Sequence, residues 1–377
     1  MACFAFVTEL YWPSLGGQEV RYRELSHHLA TLGHKVEILT ISTDPALPDV
    51  EEVEGTTVRR LVCSPRYKSL RARRNPWTIL LFSFSAGRRL LAHRYDYVIF
   101  NQWPALPQLL FGRLCPSYTL MDWCEHRSGR LYRAVFRLCA LSTQAHISVS
   151  SSLAGLLQDR YGVKKTMVIP SGIERSSYAA DSHKAGLLFI GRLVHHKHPE
   201  MIIAAVDELQ RKGCSISLTI AGDGPLLDGI TLLARNRSDI RVLGRVSESE
   251  KRSLLASSWL HVLPSEREGF PRTIAEAMAS GTPTLTVFSP DNGATAIVDE
   301  YGCGLVTDPT PAALASSIRK LLAEGSHWQQ LSSAGLQNSE LLDWKALSRQ
   351  LVAFLQNEVV VSNTSRQRPA YDEAKQL

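Results

Sequence analysis

Two glutamates separated by seven residues carry the sharpest chemical signal in the chain. Glu268 follows an apolar run, Leu260 to Leu263, that predicts a strand, and Glu276 lies inside a helix predicted to open at Thr273. Carboxylates on either side of a helix start can accept hydrogen bonds from neutral hydroxyl groups, such as those of a sugar and of a ribose. Alternatively, Glu276 only complements the dipole at the start of its helix.

The turn between the two glutamates adds a feature that suits an anion. It consists of Gly269, Phe270, Pro271, Arg272 and Thr273. The first N–H groups of a helix have no partner within the helix and favour negative charge in front of them. We therefore expect this helix start to face a diphosphate.

Two cations follow another predicted strand, Leu187 to Ile190. Arg192 comes directly after Gly191, and Lys197 lies five residues further on. A guanidinium fork and an ammonium point charge suit a diphosphate whose negative charge grows as it leaves during a reaction. The competing interpretation is a solvated loop with basic side chains.

Neither the histidines nor the cysteines predict a metal site. The histidines at 195, 196 and 198 have no carboxylate at ligand spacing, and the seven cysteines are dispersed without a CxxC pair. An odd, scattered set of cysteines is typical of reduced packing residues rather than a disulfide framework. We expect no metal, no cofactor and a cytoplasmic location.

Two glycine motifs lie where loops follow predicted strands. Gly16 and Gly17 end the loop after the first strand, and Gly222, Asp223, Gly224 and Pro225 follow the strand Ile216 to Ala221. Glycine lets the backbone approach a ligand closely, so both motifs are candidates for the donor site. Taken alone, each motif is equally an ordinary turn.

Strands and helices alternate through almost the whole chain. A strand from Cys3 to Thr8, a helical pattern closed by Gly33 and a strand from Val36 to Ile41 form the first unit, and a second series begins near Leu187. This alternation predicts an α/β fold of two Rossmann-like, doubly wound domains. Open sheets of this kind bind ligands at the carboxyl ends of their strands, so the active site is expected in the cleft between the domains.

The domain boundary is predicted in the Ser-rich segment from Pro170 to Asp181. We assign residues 1–172 to the first domain and 173–342 to the second. A last helix, about 343–357, is expected to pack back on the first domain. The polar tail 362–377 has a composition typical of disorder.

The first domain contains a long basic segment. Ten Lys and Arg residues and no Asp or Glu occur between Gly55 and Tyr95, interleaved with Tyr67, Trp77 and Phe84. Such a surface suits an anionic membrane or a phosphorylated acceptor, so residues 59–94 are a candidate for peripheral contact with the inner face of a membrane. A solvated loop with a chance excess of arginine is the alternative. No motif supports nucleic-acid binding.

In order along the chain, these motifs resemble the retaining glycosyltransferases of family 4 (group 1), which have the GT-B fold. The resemblance runs from Gly16 and Gly17 through Arg192 and Lys197 to the two glutamates and Ala277-Met278-Ala279-Ser280-Gly281-Thr282-Pro283. It implies an acceptor-binding first domain and a second domain that binds a nucleotide-diphosphate sugar. It also implies a metal-independent transfer that keeps the anomeric configuration, with the leaving phosphate helping to deprotonate the acceptor.

The resemblance assigns roles to the matching residues. Glu268 would bind the donor sugar and Glu276 the nucleotide ribose, while Arg192 and Lys197 would neutralise the diphosphate. Gly16 and Gly17 would line the path of the diphosphate. Gly222, Gly224 and Gly269 belong to the same donor site, and Phe270 to Thr273 would supply backbone donors.

Two positions depart from the family pattern. Many relatives carry a His-Asp pair after a central strand, whereas this chain has Met121-Asp122. Asp122 or His126 could replace the missing histidine as a catalytic residue, or that role is dispensable. Asp122 could also be only a helix N-cap. Ala296 stands where relatives often have a glutamate, which would alter the choice of sugar.

The sequence thus predicts transfer of a hexose to a glycan or lipid-linked acceptor, in the setting of cell-envelope polysaccharide synthesis. A catalytically inactive GT-B binding subunit and a nucleotide-sugar epimerase are the alternatives. The sequence does not identify the sugar, the nucleotide base or the acceptor.

Overall fold

The computed structural model describes residues 1–14, 16–67, 74–126 and 129–366, with side chains up to residue 358. It contains an eight-stranded sheet in the first half of the chain and a six-stranded sheet in the second half. Every pairing in these two sheets is parallel except one at the edge of the first. The predicted α/β fold with two doubly wound domains is confirmed.

The first sheet has the order β3-β4-β2-β1-β5-β6-β7-β8. Its strands are β1 (Cys3–Val7), β2 (Lys35–Ser42), β3 (Val50–Val53), β4 (Thr56–Cys63), β5 (Tyr97–Asn101), β6 (Tyr118–Trp123), β7 (Ala145–Ser148) and β8 (Thr166–Val168). Its helices are α1 (Gly17–Thr31), α2 (Pro76–Ala92), α3 (Leu106–Phe111), α4 (Arg130–Ser142) and α5 (Ser151–Tyr161). The central strand β1 is almost wholly buried, as expected for a strand covered by helices on both faces.

The chain order places α2, α3 and α4 on the same face of this sheet. The connections β4 to β5, β5 to β6 and β6 to β7 all step in one direction across the sheet, whereas β1 to β2 steps the other way. Right-handed crossovers therefore put α1 on the opposite face from the other three helices. Phe82 of α2 and Tyr22 of α1 accordingly belong to different core clusters.

The antiparallel hairpin of β3 and β4 was not predicted. Its turn at Glu54 and Gly55 has positive φ at both residues, as two-residue hairpin turns require. Strand β4 contains the first arginines of the basic segment 59–94, and four arginines of that segment are bound to glutamates elsewhere. These are Arg59 and Arg89 with Glu37, Arg60 with Glu51, and Arg74 with Glu9. The segment is therefore not one exposed basic surface, and residues 68–73 of it lie outside the described ranges.

The second sheet has the order β11-β10-β9-β12-β14-β16. Its strands are β9 (Ala185–Ile190), β10 (Leu218–Ala221), β11 (Ile240–Gly244), β12 (Ser258–Leu263), β14 (Thr284–Val287) and β16 (Gly304–Thr307), with a separate short pair, β13 (Arg267–Glu268) and β15 (Asp291–Asn292). Its helices are α6 (Pro199–Arg211), α7 (Leu227–Leu233), α8 (Glu248–Ser257), α9 (Arg272–Ala279), α10 (Gly293–Tyr301), α11 (Pro311–Ala323) and α12 (Gly325–Asn338). A capping box between Ser247 and Glu250 starts α8.

The last helix, α13 (Trp344–Arg366), returns to the first half of the chain. Its residues Trp344, Leu347, Leu351 and Leu355 are buried in the core cluster that also contains Tyr22. The helix continues through residues 362–366, which corrects the expectation that the tail 362–377 lacks regular structure from its first residue. Residues 367–377 of that tail lie outside the described ranges. Within the described residues, no helix is both long enough and apolar enough to span a bilayer.

A buried ion pair joins the first helix to the central strands near the domain boundary. Arg21 of α1 donates two hydrogen bonds of 3.2 Å to the carboxylate of Asp122 in β6 and a third, of 2.6 Å, to the carbonyl of Pro170. Both side chains are almost fully buried. Because both charges are buried and paired with each other, the pair fixes α1 relative to β6 and to the chain segment that leads into the second domain.

We predict that Arg21→Met destabilises the protein by about 3 kcal/mol, because it leaves the Asp122 carboxylate buried without its partner. Urea unfolding followed by circular dichroism measures this change. Arg211→Met is the control, since it breaks an exposed pair with Glu208 and should cost less than about 1 kcal/mol. Equal effects of the two substitutions would contradict the structural role of Arg21.

Candidate active site

A cavity of about 530 Å³ lies between the two halves of the chain. The first half contributes Glu125, His126, Ser150, Ser152, Leu153 and Leu156 to its walls. The second half contributes Arg192, His196, Arg267, Glu268, Gly269, residues 288–293, Thr295 and Ala296. Most of these residues lie in loops at the carboxyl ends of parallel strands or at helix starts, which is where open α/β sheets place their ligands.

Gly269 allows the two halves to approach closely at this cavity. A Cβ atom at this position would lie 2.5 Å from the carbonyl oxygen of Cys124, and one at Gly293 would lie 2.3 Å from the carbonyl of Gly269. Any side chain at either glycine would push these backbones apart. Gly269 therefore sets how closely the two halves approach, and Gly293 lets the start of α10 pack against the Gly269 backbone.

Three of the predicted donor-site residues come together. The ammonium of Lys197 lies 2.5 Å from Oε1 of Glu268, and both side chains are largely buried. Arg192 lines the same cavity as Glu268. The loop after β9 thus places Arg192 on the cavity wall with Glu268 and brings Lys197 into contact with Glu268, although Lys197 itself is not part of that wall.

The positive charge of this region affects its histidine. Burial lowers the pKa of His196, and the nearby charges of Lys197 and Arg267 lower it further. A neutral imidazole is therefore favoured beside the cationic residues. The cavity wall carries charges of both signs, two arginines (Arg192 and Arg267) and three carboxylates (Glu125, Glu268 and Asp291), so an anionic group of a ligand would bind at the arginines.

Glu276 lies outside the cavity walls, in the interior beside α8. Its Oε1 is 2.8 Å from the ammonium of Lys251 and 3.2 Å from Nε of Arg272, whereas its Oε2 makes no hydrogen bond of normal geometry, and the hydroxyl of Tyr178 also interacts with this carboxylate. The side chain is 1% exposed. Lys251 was missed by sequence reasoning, since a lysine in an amphipathic helix gives no sign of which carboxylate it meets.

The remaining predicted glycines do not line the cavity. A Cβ at Gly222 would lie 1.8 Å from the carbonyl of Gly191, and one at Gly224 would lie 2.5 Å from that of Leu193. These two glycines therefore pack the loop after β10 against the loop that carries Arg192. Gly16 and Gly17 stand at the start of α1, also outside the cavity walls.

The turn before α9 also lies behind the cavity wall rather than on it. The helix starts at Arg272, after Pro271 as its N-cap, and Thr273 is in its first turn. Phe270 packs against core clusters of both halves of the chain. Of the predicted turn, only Gly269 lines the cavity.

Asp122 does not reach the cavity, which corrects the expectation that it serves as a catalytic residue. It lies in β6 and is bound to Arg21, so it is not a helix N-cap either. Met121 is fully buried, and its sulfur accepts a hydrogen bond of 3.3 Å from Gln108. Neither residue of the Met121-Asp122 pair can contact a ligand in the cleft.

His126, unlike Asp122, lines the cavity, together with its neighbour Glu125. Its Nε2 lies 3.3 Å from the hydroxyl of Tyr161. Burial and the nearby Arg160 lower the pKa of His126. Of the two replacements considered for the missing family histidine, the geometry therefore favours His126.

Gln102 holds the loop that carries His126, and sequence reasoning missed it. Its Oε1 accepts hydrogen bonds from the backbone N–H groups of Cys124 at 2.9 Å and Glu125 at 3.0 Å, and its Nε2 donates to the carbonyl of Glu125 at 2.8 Å. The side chain is fully buried. Its position directly after β5 was the available signal, because β5 and β6 are neighbours and end at the same edge of the sheet.

Two family models match adjoining parts of the chain. The Glycosyltransferase Family 4 model matches residues 15–177, and the model of glycosyl transferases group 1 matches residues 171–337. Together they cover most of the sequence in the order of its two sheets. The chain belongs to glycosyltransferase family 4.

Similar proteins include glycosyltransferases of different specificity. Glycogen synthase of Mycobacterium tuberculosis is 26% identical over 370 residues, which span 89% of each protein. The D-inositol 3-phosphate glycosyltransferase of Segniliparus rotundus is 24% identical, over 90% of this chain and 84% of that protein. Similarity at this level places this glycosyltransferase in the family without distinguishing its acceptor.

Solved structures identify the fold as GT-B. Sucrose-phosphate synthase from Thermosynechococcus elongatus superposes with a TM-score of 0.78 at 19% identity, over 96% of this chain and 100% of that one. The Anabaena protein HepE, crystallised with UDP and glucose, has a TM-score of 0.70 at 15% identity over 95% of this chain and 100% of that one. Among the described residues of this glycosyltransferase, no three His, Cys, Asp or Glu side chains are arranged to hold a metal ion.

We predict that Gln102→Ala lowers the kcat of transfer by about tenfold or more, because the loop that carries His126 loses its anchor and the site loses its alignment. Steady-state kinetics measures kcat and the donor KM separately, and the donor KM should change little. Gln108→Ala is the control, since it removes an equally buried amide of the same domain that does not touch this loop. Equal losses of kcat in both variants would show that only stability had changed.

Proposed function

We propose that this glycosyltransferase moves a hexose from a nucleotide-diphosphate sugar to a glycan or lipid-linked acceptor, with retention of the anomeric configuration and without a metal ion. The observation that carries the proposal is that Glu268 shares the wall of the cleft between the domains with Arg192 and forms an ion pair with Lys197. Cell-envelope polysaccharide synthesis at the cytoplasmic side of a membrane is the proposed setting.

The two cations suit the diphosphate of such a donor. Departure of the nucleotide develops negative charge on the leaving phosphate, and positive groups fixed near that charge lower the barrier. The Lys197 ammonium has three donors, so it can bind a phosphate oxygen while it remains beside Glu268. In this arrangement the two cationic side chains stabilise the negative charge of the leaving phosphate, as a metal ion does in metal-dependent enzymes.

Glu268 is proposed to accept hydrogen bonds from hydroxyl groups of the transferred sugar. Its carboxylate is held at the cavity wall by Lys197, and the register of β13 with β15 places it opposite Asn292. A carboxylate already fixed by an ion pair loses little freedom when it binds a hydroxyl. The leaving phosphate is proposed to help remove the acceptor proton.

Glu276 is proposed to bind the ribose of the donor through its Oε2. Lys251 and Arg272 both approach Oε1, which leaves Oε2 as the acceptor for a ribose hydroxyl. Because Glu276 is nearly fully buried, the nucleotide would enter beside α8 and α9 after a small movement of their side chains. HepE, a structural neighbour crystallised with UDP, supports a nucleotide-diphosphate donor as the ligand class.

The first domain is proposed to supply the acceptor side of the cleft, with His126 near the reacting sugar. Its neutral imidazole can accept or donate a hydrogen bond without adding charge. Ala296 also lines the cavity and leaves space where relatives often carry a glutamate. That space is proposed to contribute to the choice of sugar.

We predict that Lys197→Ala and Glu268→Gln each reduce transfer at least about a hundredfold, or about 2.7 kcal/mol of transition-state stabilisation. Assays with UDP-, GDP- and ADP-sugars, with and without candidate acceptors, measure the loss, and NMR of the product reports its anomeric configuration. Glu266→Gln is the control, because its exposed side chain lies two residues from Glu268 without touching Lys197.

Full activity of both site variants would contradict the proposed site. Donor binding without turnover on any acceptor would instead favour an inactive binding subunit. Inversion of the anomeric configuration would refute the retaining mechanism while leaving the transferase activity intact.

We predict that Lys251→Met weakens inhibition by the matching nucleoside diphosphate about tenfold, because Glu276 loses the partner that orients it toward the ribose. The variant should also discriminate less between that nucleotide and its 2′-deoxy and 3′-deoxy analogues. Competition assays measure both effects. Glu248→Gln is the control, since Glu248 is an exposed partner of Lys251 that does not contact Glu276. Unchanged discrimination in Lys251→Met would exclude this role.

A further inference from the structure

The outward side of α2 is apolar rather than polar. Trp77, Leu81, Phe84 and Leu91 are all more than half exposed, with Trp77 at 72%. Together with the exposed Arg88, they recur at intervals of three and four residues and form one stripe along the helix. The opposite side of α2 already packs on the sheet through Phe82, so the exposed stripe is not needed for the core.

Helix α4 repeats this arrangement. Leu131, Leu138 and Leu141 form an exposed apolar stripe, with Leu131 at 75% exposure. Three exposed arginines, at 130, 133 and 137, lie beside that stripe. The inward side of α4 packs through Phe136 and Cys139.

The short helix α3 joins these two stripes into one surface. The side chain of Phe111 occupies the position beside Gly87 of α2, where a Cβ would lie 2.2 Å from its ring. Gly112, directly after α3, lies against the carbonyl of Ser142 at the end of α4, where a Cβ would be 2.4 Å away. The three helices therefore pack side by side on one face of the sheet, and Leu114, shortly after α3, is also exposed.

The charge of this surface has one sign. None of the three helices contains Asp or Glu, and Arg88, Arg113, Arg130, Arg133 and Arg137 are exposed on or between them. Nine of the sixteen exposed large apolar side chains among the described residues lie in this region, so they are concentrated rather than scattered. Apolar side chains flanked by arginines match the boundary between anionic headgroups and acyl chains.

We propose that the outer surface of α2, α3 and α4, here called the α2–α4 face, docks on a bilayer that contains anionic lipids. The apolar stripes enter the headgroup region and the arginines bind lipid phosphates. This differs from contact through the segment 59–94, because α4 and the α3 junction lie outside that segment and several of its arginines bind glutamates instead.

The α2–α4 face lies close to the acceptor side of the cleft. Helix α4 begins four residues after His126, and Tyr132 of α4 contacts Trp103, whose indole lies 3.3 Å from the carboxylate of Glu125 at the cavity wall. A docked molecule would hold the acceptor side of its cleft near the membrane surface. In this respect the inference rests on the proposed function, because it implies an acceptor that is lipid-linked and presented by the bilayer.

The test is cosedimentation of the full chain with phosphatidylcholine vesicles, with or without phosphatidylglycerol. Binding is expected only with phosphatidylglycerol and should weaken as salt rises, since arginine–headgroup attraction is screened. Leu131→Glu/Leu138→Glu and Arg133→Glu/Arg137→Glu should each weaken binding at least about tenfold. Circular dichroism and thermal melting check that every variant is folded.

The second domain offers matched controls for both pairs of substitutions. Leu232→Glu/Leu233→Glu places the same charges at two exposed leucines, and Arg319→Glu/Lys320→Glu makes the same change of net charge on α11. Neither control should change vesicle binding. Equal losses in the controls, or undiminished binding by the α2–α4 variants, would overturn the proposal.

Two further outcomes separate this inference from others. If the wild-type chain does not bind vesicles but forms a dimer that the α2–α4 substitutions dissociate, measured by light scattering, the face is a self-association surface and the proposal is wrong. If the chain binds vesicles through this face but transfers no sugar from any donor, the proposed function fails while the docking stands. Variants that lose vesicle binding but keep turnover on a water-soluble acceptor support both.

Discussion

A charge removed from water needs a partner, and this requirement organises the cleft region of the molecule. Three pairs meet it: Arg21 with Asp122, Lys197 with Glu268, and Lys251 with Glu276. The first is fully enclosed and links a helix to the strand beside it. The other two join different loops or helices of the second domain and remain partly accessible through their lysines. The same requirement thus explains one pair that is purely structural and two pairs whose lysines are accessible to a ligand.

In the proposed function, the two lysine–glutamate pairs of the second domain bind different parts of the donor. Each lysine keeps spare donors when it binds one carboxylate oxygen, and each glutamate keeps acceptor capacity on its second oxygen. A donor with a charged diphosphate and neutral rings can bind to these unused hydrogen-bond donors and acceptors while each lysine stays paired with its glutamate. The lysines already offset the free-energy cost of removing the glutamate charges from water before the ligand binds. A site in this condition is called preorganised.

The first domain contributes through packing rather than through a second set of ion pairs. Gln102 fixes the loop before His126 by three hydrogen bonds, and Gly269 lets that loop meet the second domain. The same domain carries the apolar and basic α2–α4 face on its outer side. Because α4 begins close to the His126 loop, the proposed acceptor side of the cleft and the proposed membrane surface are parts of one structural unit.

Much of the fold and part of the site followed from the sequence alone. The alternation of apolar runs and helical patterns sufficed for the doubly wound domains, since both periodicities are local properties of the chain. The positions of Arg192, Lys197 and Glu268 after predicted strands also predicted that these residues lie at the same edge of the second sheet. The β3–β4 hairpin was not predicted, since β3 has only four residues and two of them are glutamates.

Tertiary structure alone decided the partners of the individual side chains. The family resemblance made Asp122 a catalytic candidate, but the tertiary structure pairs it with Arg21 in the interior. Lys251, Gln102 and the joining of α2 to α4 depend on contacts between elements distant in sequence. Local patterns determine which elements form and where they end, whereas burial and pairing depend on which elements become neighbours, and that is fixed only when the sheets are assembled.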